Sequence, residues 1–288
     1  MQLSSINNPF AAPVYHRETV SSTMDEARLL AARGEVHGTV VAADFQEAGR
    51  GRTTGRAWQA DRGRNLFFTI LLRYGGFAAI PKAITLKTGL ALSLAIEDFA
   101  PALTGTVLVK WPNDVMIGAP SPVAGTAQAA GKAAGILTEG DGTVVYIGIG
   151  VNVGQTEFPE ALRGKATSIA LALGKRSGED DGQDRFRLLE KILARLHREL
   201  AGPPDTAALG ITGRDAIVLN AAGDWRSRLE ARLFRRDCPV RFLAGGVDAG
   251  TPVAGILRGI GPEGELLILP DGEDTARSFV TGELEVYR

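Results

Sequence analysis

Alternating glycine and arginine residues form the part of this sequence that is best suited to chemistry. They lie in DFQEAGRGRTTGRAW at 44–58. Glycine lets a backbone approach a ligand closely, and the arginine side chain is a planar, permanently charged group that suits carboxylates and phosphates. The members of this loop, with the tryptophan that follows, are Gly49, Arg50, Gly51, Arg52, Gly55, Arg56 and Trp58. The pattern predicts a cationic loop that becomes ordered around an anion, and a plain surface turn is the alternative.

The segment KWPND at 110–114 is the second candidate site. It ends a short apolar strand predicted at 107–111, where side chains are held firmly. Asn113 can hydrogen-bond to a polar edge, and the carboxylate of Asp114 can hold a hard cation. Proline, asparagine and aspartate are also a common turn composition, so a structural turn stays open for this segment alone.

Two further predicted strands contain candidate site residues. Lys132 is predicted at the start of an apolar strand, where a surface charge is the other interpretation. The next strand, at 143–153, is interrupted by Gly148, Gly150 and Asn152. Glycine inside a strand often marks the close approach of a ligand or of another backbone.

Ser22 and Thr23 stand where a predicted strand at 14–20 meets a predicted helix. Both have the spacing of helix-capping residues relative to Asp25 and Glu26. Capping is therefore the simple interpretation. The free N–H groups of a helix N-terminus can also hold a polar ligand, so a binding role is equally open.

Bulk composition narrows the class of protein. The 288 residues carry a formal charge of −1, which argues against a surface that engages nucleic acid or an anionic membrane throughout. Cys238 is the single cysteine, so no disulfide framework is expected. The N-terminal residues do not resemble a signal peptide, and no apolar run is expected to reach the length of a membrane span. We expect a cytoplasmic protein of mixed helix and strand content.

The pattern of elements divides the chain into three parts. Residues 1–13 are predicted to form a loose N-terminal arm, 14–235 a catalytic domain, and 236–288 a small antiparallel barrel of short strands. Further strands are predicted at 39–45, 65–73 and 132–139, and the strand that ends at 111 is predicted to resume at 115–117. Helices are predicted at 81–99 and 184–200, with a helical stretch at 225–235. Residues 118–131 are predicted to be a long hairpin connection, and Asp141-Gly142 a tight turn.

Taken together, these motifs resemble those of the biotin protein ligases, which activate biotin with ATP and attach it to a lysine of a carrier protein. The matching segments are Ser22-Thr23, 46–52, 55–58, 110–114, Lys132 with 135–139, and 148–152. The resemblance implies an α+β fold, with a class II synthetase-like biotin/lipoate ligase domain built on a mixed sheet with helices. It also implies an SH3-like β-barrel at the C-terminus.

The resemblance also implies roles for individual residues. Lys132, Arg50 and Arg52 would be catalytic. Biotin would be bound by Ser22, Thr23, Gln46, Gly49, Arg50, Arg52, Lys132, Gly135 and Gly148. ATP and the adenylate would be bound by Arg52, Arg56, Trp58, Asn113, Asp114, Lys132 and Asn152. Asp114 would reach Mg²⁺ through ATP, and the cationic loop would close over the adenylate.

Three departures from the family pattern are visible. Thr53-Thr54 lengthens the gap between the Gly-Arg pairs, the connection at 118–131 is long, and 1–13 is too short for the DNA-binding domain of some members. The expected partner is a biotin carboxyl carrier protein, without DNA or membrane, and pairing of sheet edges into a homodimer stays open. A lipoate ligase and a non-catalytic biotin- or adenylate-binding protein are the alternative functions.

Overall fold

A seven-stranded mixed sheet forms the centre of the protein. The computed structural model describes residues 6–51, 61–119, 128–176, 184–200, 224–245 and 251–285. The strands of the sheet are β1 (Val14–Val20), β2 (Thr39–Gln46), β3 (Leu66–Arg73), β4 (Val107–Lys110), β5 (Asp114–Ala119), β6 (Gln128–Asp141) and β7 (Val144–Val151). Their spatial order is β1-β2-β3-β7-β6-β5-β4, with β1 and β2 parallel and the other neighbours antiparallel. The predicted mixed sheet is confirmed.

Helices cover the two faces of this sheet unequally. Helices α1 (Thr23–Ala32), α2 (Ile84–Phe99), α3 (Ile169–Ala172) and α4 (Arg185–Leu200) follow the chain order. On β3, Leu66, Phe68, Ile70 and Leu72 belong to the main core with α2 and α4. Leu71, on the opposite face, packs with α1. Because α1 is short, part of that second face stays open, and the cleft described below lies there.

Helix α1 begins at the predicted capping residues. Ser22 is the N-cap, and its Oγ accepts a hydrogen bond from Met24 N at 3.2 Å. Asp25 and Glu26 lie in the first turn, where negative charge stabilises the helix dipole. Gly34 follows the last turn with φ of +86°, a conformation that glycine adopts without strain.

Helix α2 begins later than predicted. A 3-10 turn occupies Phe77–Ala79, and the α-helix begins at Ile84, after Ala83 in a left-handed conformation. Pro81 therefore precedes the first helical turn instead of opening it.

The segment Phe77–Phe99 is long and apolar enough to cross a membrane, with a mean hydropathy of 1.3. The expectation that no apolar run would reach such a length was therefore wrong. Half of the most apolar window is buried in the protein. Leu92, Ala95 and Ile96 belong to the main core, so the packing of this helix against the sheet and α4 accounts for its composition.

The N-terminal arm is fastened to the domain, which corrects the prediction of a loose segment for residues 6–13. Asn8 Nδ2 donates to the carbonyls of Ala12 and Gly38 at 2.8 and 3.0 Å. Phe10 makes an edge-to-face contact with His197 of α4, with ring centroids 4.9 Å apart. An apolar ring and a paired amide anchor the arm, and neither produces the periodic pattern by which a regular element is recognised.

The KWPND segment is a hairpin turn. Strand β5 does not continue β4 but returns antiparallel to it, with Lys110 opposite Asp114. Strand β6 then begins at Gln128, so Lys132 lies inside a strand and not at its start. Of the predicted connection at 118–131, only 120–127 lie outside the described residues. The predicted turn at Asp141-Gly142 is confirmed, with Gly142 at φ of +60°.

A separate antiparallel sheet follows the main sheet along the chain. Helix α5 (Trp225–Glu230) is shorter than the predicted 225–235. The sheet contains β8 (Pro239–Ala244), β9 (Thr251–Ile260), β10 (Leu266–Pro270), β11 (Arg277–Phe279) and β12 (Gly282–Glu285) in the order β11-β10-β9-β8-β12. The predicted small C-terminal β unit is confirmed, and the boundary near residue 236 stays a prediction.

Trp111 joins the two sheets. Its ring is 3% exposed and lies 5.8 Å from that of Phe242 in β8. Its indole N–H donates to the carbonyl of Gly264 at 3.0 Å. Next to it, Val109 of β4 exchanges backbone hydrogen bonds with Arg232 and Phe234, so the chain after α5 covers this edge of the main sheet. The hairpin turn that carries Asn113 and Asp114 is thus anchored from behind by the C-terminal unit.

Candidate active site

A cleft opens on the main sheet beside the N-terminus of α1. It encloses about 560 Å³ of empty space, its open mouth included. The residues that line it are Ser22, Thr23, Met24, Gln46, Arg50, Gly51, Phe67, Thr69, Asn113, Lys132, Gly135, Ile136, Leu137, Gly148, Ile149 and Gly150. Seven residues that the sequence nominates for biotin meet here: Ser22, Thr23, Gln46, Arg50, Lys132, Gly135 and Gly148. They come from five different elements or loops, so tertiary folding assembles the site.

Buried hydrogen-bonding groups form the floor of the cleft. Gln46 Oε1 accepts from both the backbone N–H and the hydroxyl of Thr23, at 2.9 and 3.1 Å. The hydroxyls of Thr23 and Thr69 are 2.9 Å apart. Thr23 is 3% exposed and Thr69 is fully buried. This polar floor, Ser22, Thr23, Gln46 and Thr69, suits an uncharged ligand that both donates and accepts hydrogen bonds.

Glycines of β6 and β7 line the cleft beside its polar floor. In the sheet, Gly148 of β7 lies opposite Thr69 of β3, and Gly150 lies opposite both Phe67 and Gly135. A Cβ added to Gly148 would lie 3.1 Å from Met24 Cε and 3.6 Å from Thr69 Oγ1. A side chain at position 148 would therefore press against Met24, so glycine allows close packing beside the floor of the cleft.

A lysine and an aspartate occupy the other side of the cleft. Lys132 Nζ lies 2.6 Å from Asp114 Oδ1, and its side chain is 35% exposed. Lys110 Nζ lies 3.9 Å from the other oxygen of the same carboxylate. The backbone of Lys132 is fixed by its N–H bond to the carbonyl of Lys165 at 2.8 Å. The arrangement holds a partly exposed ammonium group on a rigid strand, where it can neutralise an anionic ligand.

Arg50 contacts the cleft from its more exposed rim. Its guanidinium is 2.5 Å from Asp25 Oδ1 of α1, and the two side chains are about half exposed. Arg28 also bonds to Asp25 and to Glu139. The arginine is thus paired with a carboxylate of the protein. An anion in the cleft would compete with Asp25 for it.

Asp44 supports the base of the cationic loop. It accepts hydrogen bonds from His16 and Arg185, both at 2.8 Å, and so ties β2 to β1 and α4. Burial by itself raises the pKa of this carboxyl. The hydrogen bonds from His16 and Arg185 outweigh that effect and lower the pKa below its usual 3.8.

Other nominated residues lie beside the cleft or outside the described chain. Asn113 lines the cleft, but its Nδ2 donates to the carbonyl of Ile136 at 2.8 Å. Asn152 is buried, and its Nδ2 donates to the carbonyl of Thr167 at 2.9 Å, which is a structural contact. Gly49 is buried next to Arg50 without lining the cleft. Arg52, Arg56 and Trp58 lie outside the described residues.

The sequence analysis missed several residues of the cleft. Met24, Phe67, Thr69, Ile136, Leu137 and Ile149 line it without having been nominated. Thr69 carried a signal, because it is the single polar residue inside the apolar strand FFTILL. Alternation along β3 places Phe67 and Thr69 on the same face of the strand, which is the face that lines the cleft.

Comparison with known proteins places this site in a family. The sequence profile of the Biotin/lipoate A/B protein ligase family matches residues 17–153, from β1 to just beyond β7. That range contains every residue that lines the cleft. This part of the chain belongs to the Biotin/lipoate A/B protein ligase family. The family match thus coincides with the part of the chain that builds the site.

Individual relatives support this membership of the ligase family. The chain is 35% identical over 187 residues to the Bifunctional ligase/repressor BirA of Bacillus subtilis, which is 62% of this chain and 51% of that protein. The alignment therefore spans about half of that relative. A Biotin--[acetyl-CoA-carboxylase] ligase from Mycobacterium tuberculosis is 32% identical over 66% of each chain.

Solved structures extend the likeness to the C-terminal sheet. The biotin protein ligase from Aquifex aeolicus in complex with biotin and ATP aligns with 96% of this chain and 98% of its own, with 26% identity and a TM-score of 0.69. A biotin protein ligase from Leishmania major with biotinyl-5-AMP shares the fold at 23% identity, with a TM-score of 0.53. The ligase fold, including its small C-terminal β unit, therefore covers nearly the whole chain.

Proposed function

We propose that this chain is an ATP-dependent biotin–protein ligase, which forms biotinyl-5′-AMP and transfers biotin to a lysine of a carrier protein. The observation that carries the proposal is the cleft itself, in which a buried polar floor lies beside Lys132 and Arg50. Biotin has a neutral, hydrogen-bonding ring at one end and a carboxylate at the other. The aligned relative that holds biotin and ATP supports the proposal.

In the first step a carboxylate oxygen of biotin attacks the α-phosphorus of ATP. A new P–O bond forms, the bond from that phosphorus to the bridging oxygen breaks, and pyrophosphate leaves. Two anions must meet, so the barrier falls when cations lie at the meeting point. Lys132 is held on β6 for this role, and Arg50 can move from Asp25 to the anions.

In the second step the uncharged amine of the carrier lysine attacks the acyl carbon of the adenylate. A C–N bond forms, the C–O bond to phosphate breaks, the nitrogen loses a proton and AMP leaves. The intermediate is a mixed anhydride that water would hydrolyse, so shielding it from solvent matters. Closure of the loop that contains Arg52, Arg56 and Trp58 over the adenylate is a prediction about residues outside the described chain.

Mg²⁺ is expected to accompany ATP. Among the described residues, no group of three or more histidine, cysteine or acidic side chains is arranged to hold a metal ion. Asp114 offers one carboxylate beside Lys132. A single carboxylate together with substrate phosphates is the usual way in which proteins hold Mg²⁺, so the residues fit an ion that arrives with the nucleotide. The ion would supply positive charge to the phosphates.

The proposed partner is the carrier domain of a biotin-dependent carboxylase. The name of the Mycobacterium tuberculosis relative, an acetyl-CoA-carboxylase ligase, supports this class. The formal charge of −1 gives no reason to propose DNA as a partner. A cytoplasmic location and pairing into a homodimer stay predictions.

Incubation with ATP, Mg²⁺, biotin and a biotin carboxyl carrier domain tests the proposal, with the mass of the carrier as the readout. We expect one biotin to be added per carrier domain. A parallel reaction with lipoate and a lipoyl domain tests the sister activity of the family, and product there alone would reassign the substrate. Tight biotin binding without any carrier product would instead indicate a binding protein without turnover.

A further inference from the structure

Lys110 is a buried cation outside the cleft, and the mechanism described so far does not use it. It is the last residue of β4, its side chain is 9% exposed, and it does not line the cleft. Burying an ammonium group is costly unless a carboxylate of the protein compensates its charge. The carboxylate that lies near this lysine therefore indicates what the lysine does.

Asp114 is that carboxylate, and it lies between two lysines. Lys110 Nζ is 3.9 Å from Oδ2, and Lys132 Nζ is 2.6 Å from Oδ1. Oδ1 is buried, and among the described residues no donor meets it with hydrogen-bond geometry. Attraction between charges, and not a directed hydrogen bond, therefore holds Lys132 at this oxygen. A contact of this kind leaves the ammonium group of Lys132 able to turn toward another anion.

Backbone contacts fix these three charges relative to one another. Lys110 and Asp114 are opposite each other across the hairpin of β4 and β5. In the turn of this hairpin, Asn113 exchanges two hydrogen bonds, of 2.9 and 2.8 Å, with Ile136 of β6. The same strand, β6, carries Lys132. The two lysines therefore approach the carboxylate from two strands that are fastened together.

The two lysines differ in how firmly they are held to Asp114. Alternation along β4 places Lys110 on the same face as Leu108. Leu108 belongs to a small apolar cluster with Met116, Ala130 and Phe234. Charges attract each other more strongly in such surroundings than in water. The buried Lys110 is thus the cation that stays with Asp114, whereas Lys132, with 35% of its side chain exposed, is the one that can leave.

We propose that Lys110 is a positioning residue for adenylate formation, which keeps the charge of Asp114 compensated and so allows Lys132 to turn to the reacting anions. This inference rests on the proposed function, because those anions are the carboxylate of biotin and the α-phosphate of ATP. Without Lys110, the turn of Lys132 would leave a mostly buried carboxylate without a cation of the protein, which is costly. Mg²⁺ would arrive only with ATP, whereas Lys110 is part of the fold and compensates Asp114 throughout.

The test compares Lys110→Met, which removes the charge at similar side-chain length, with Lys110→Arg, which keeps it. Asp114→Asn, alone and combined with Lys110→Met, completes a double-mutant cycle. Lys87→Met is the control, because Lys87 is a partly buried lysine of α2 that lies over the Trp225 ring and does not line the cleft. Biotin-dependent pyrophosphate release, in single-turnover and steady-state reactions, gives the rate of adenylate formation and the KM values. Thermal unfolding monitors the fold of each variant.

We expect Lys110→Met to lower the rate of adenylate formation about 10-fold, because Lys132 then stays with Asp114. The KM values for biotin and ATP should change by less than about threefold, and Lys110→Arg should restore the rate to within about threefold of wild type. In the Asp114→Asn background, Lys110→Met should lower the rate by less than about twofold, because no carboxylate remains to be compensated. Lys87→Met should stay within about twofold of wild type.

Equal losses from Lys110→Met with and without Asp114→Asn would mean that Lys110 acts independently of Asp114, which overturns the inference. So would a Lys110→Met rate equal to that of wild type, or an equal loss in Lys87→Met. If Lys110→Met does not fold, a folded Lys110→Arg with a rate more than about 10-fold below wild type overturns the inference as well. A wild-type protein that releases no pyrophosphate in response to biotin overturns the proposed function, whereas the other outcomes concern Lys110 alone.

Discussion

The two sides of the cleft are built on different principles. The polar floor is buried: Thr23 is 3% exposed, Thr69 is fully buried, and hydrogen bonds within the protein join Thr23 to Gln46 and to Thr69. The cationic side is half open, with Arg50 and Lys132 50% and 35% exposed and each paired with an aspartate. The side chains of the floor are held in place by one another, whereas the cationic side must exchange partners to bind an anion.

The difference follows from the energetics of polar groups. Neutral hydrogen-bonding groups can be buried if their partners are in place, and preorganisation then gives specificity. An unpaired buried charge is far more costly. Cations that serve an anionic substrate therefore need protein carboxylates while the site is empty. Asp25 and Asp114 are these carboxylates in the present protein. We infer that the floor selects the ligand and that the cationic side drives the reaction.

The largest expected effect comes from removing the cation of the reaction centre. Lys132→Ala should lower the rate of adenylate formation by about 100- to 1,000-fold or more, because a preorganised charge at the developing anions is lost. Biotin-dependent pyrophosphate release measures it. Biotin affinity should change far less, since the floor is intact.

Lys165→Ala is the matched control, since this neighbouring lysine has an exposed side chain. Its rate should remain close to wild type. Appreciable pyrophosphate release by Lys132→Ala would contradict the role of Lys132 as the catalytic cation. It would also contradict the inference that the cationic side drives the reaction.

A change on the floor should act on affinity instead. Gln46→Glu keeps an oxygen opposite Thr23 but replaces the N–H donors of Nε2 by a second carboxylate oxygen. We expect biotin to bind about 10- to 100-fold more weakly, while the KM for ATP is unchanged. Glu47→Gln, on the exposed neighbouring residue, is the control. A loss confined to kcat would contradict the division between the two sides.

Asp44 lines neither side of the cleft, so its removal should affect the stability of the fold. Asp44→Asn should cost about 1 kcal/mol of unfolding free energy, because contacts with His16 and Arg185 weaken. The pKa of Asp44 is lower in the folded protein than in the unfolded chain. Its contribution is therefore complete above about pH 5 and disappears as pH falls below the usual value of 3.8.

Urea unfolding of wild type and Asp44→Asn at pH 7, 5 and 3.5 checks this prediction. The difference between the two proteins should shrink at the lowest pH. A difference that does not depend on pH would mean that the charge of Asp44 contributes nothing.

The smallest expected effect is on the rim. Asp25→Asn should release Arg50 and so strengthen adenylate binding, by less than about fivefold because exposed ion pairs contribute only 0.2–1 kcal/mol. Titration with a non-hydrolysable biotinyl-AMP analogue measures it. Glu26→Gln is the control, because Glu26 lies in the same helical turn as Asp25 but pairs with Arg17 of β1. Weaker binding in Asp25→Asn would show that Asp25 positions Arg50 and does not compete for it.

Much of the local structure could be predicted from the residues alone. Ser22 at the start of α1 and the tight turn at Gly142 follow from short-range chemistry, as does the apolar stripe of α4. The motifs also nominated eight of the residues that meet in the cleft, seven for biotin and Asn113 for ATP. The N-terminal arm, the hairpin at 110–119 and the start of α2 were predicted wrongly, because partners distant in the chain decide them.

The sequence by itself determined which groups this protein can bring to a ligand: the glycines and arginines of the loop, a lysine, an aspartate and the capping hydroxyls. Composition and local periodicity specify such groups because they act over a few residues. Only the tertiary structure decided that Thr69 lies against Thr23, that Asn152 holds the backbone, and that Asp25 holds Arg50. These contacts join residues 15 to 46 positions apart, so no local sequence pattern specifies them.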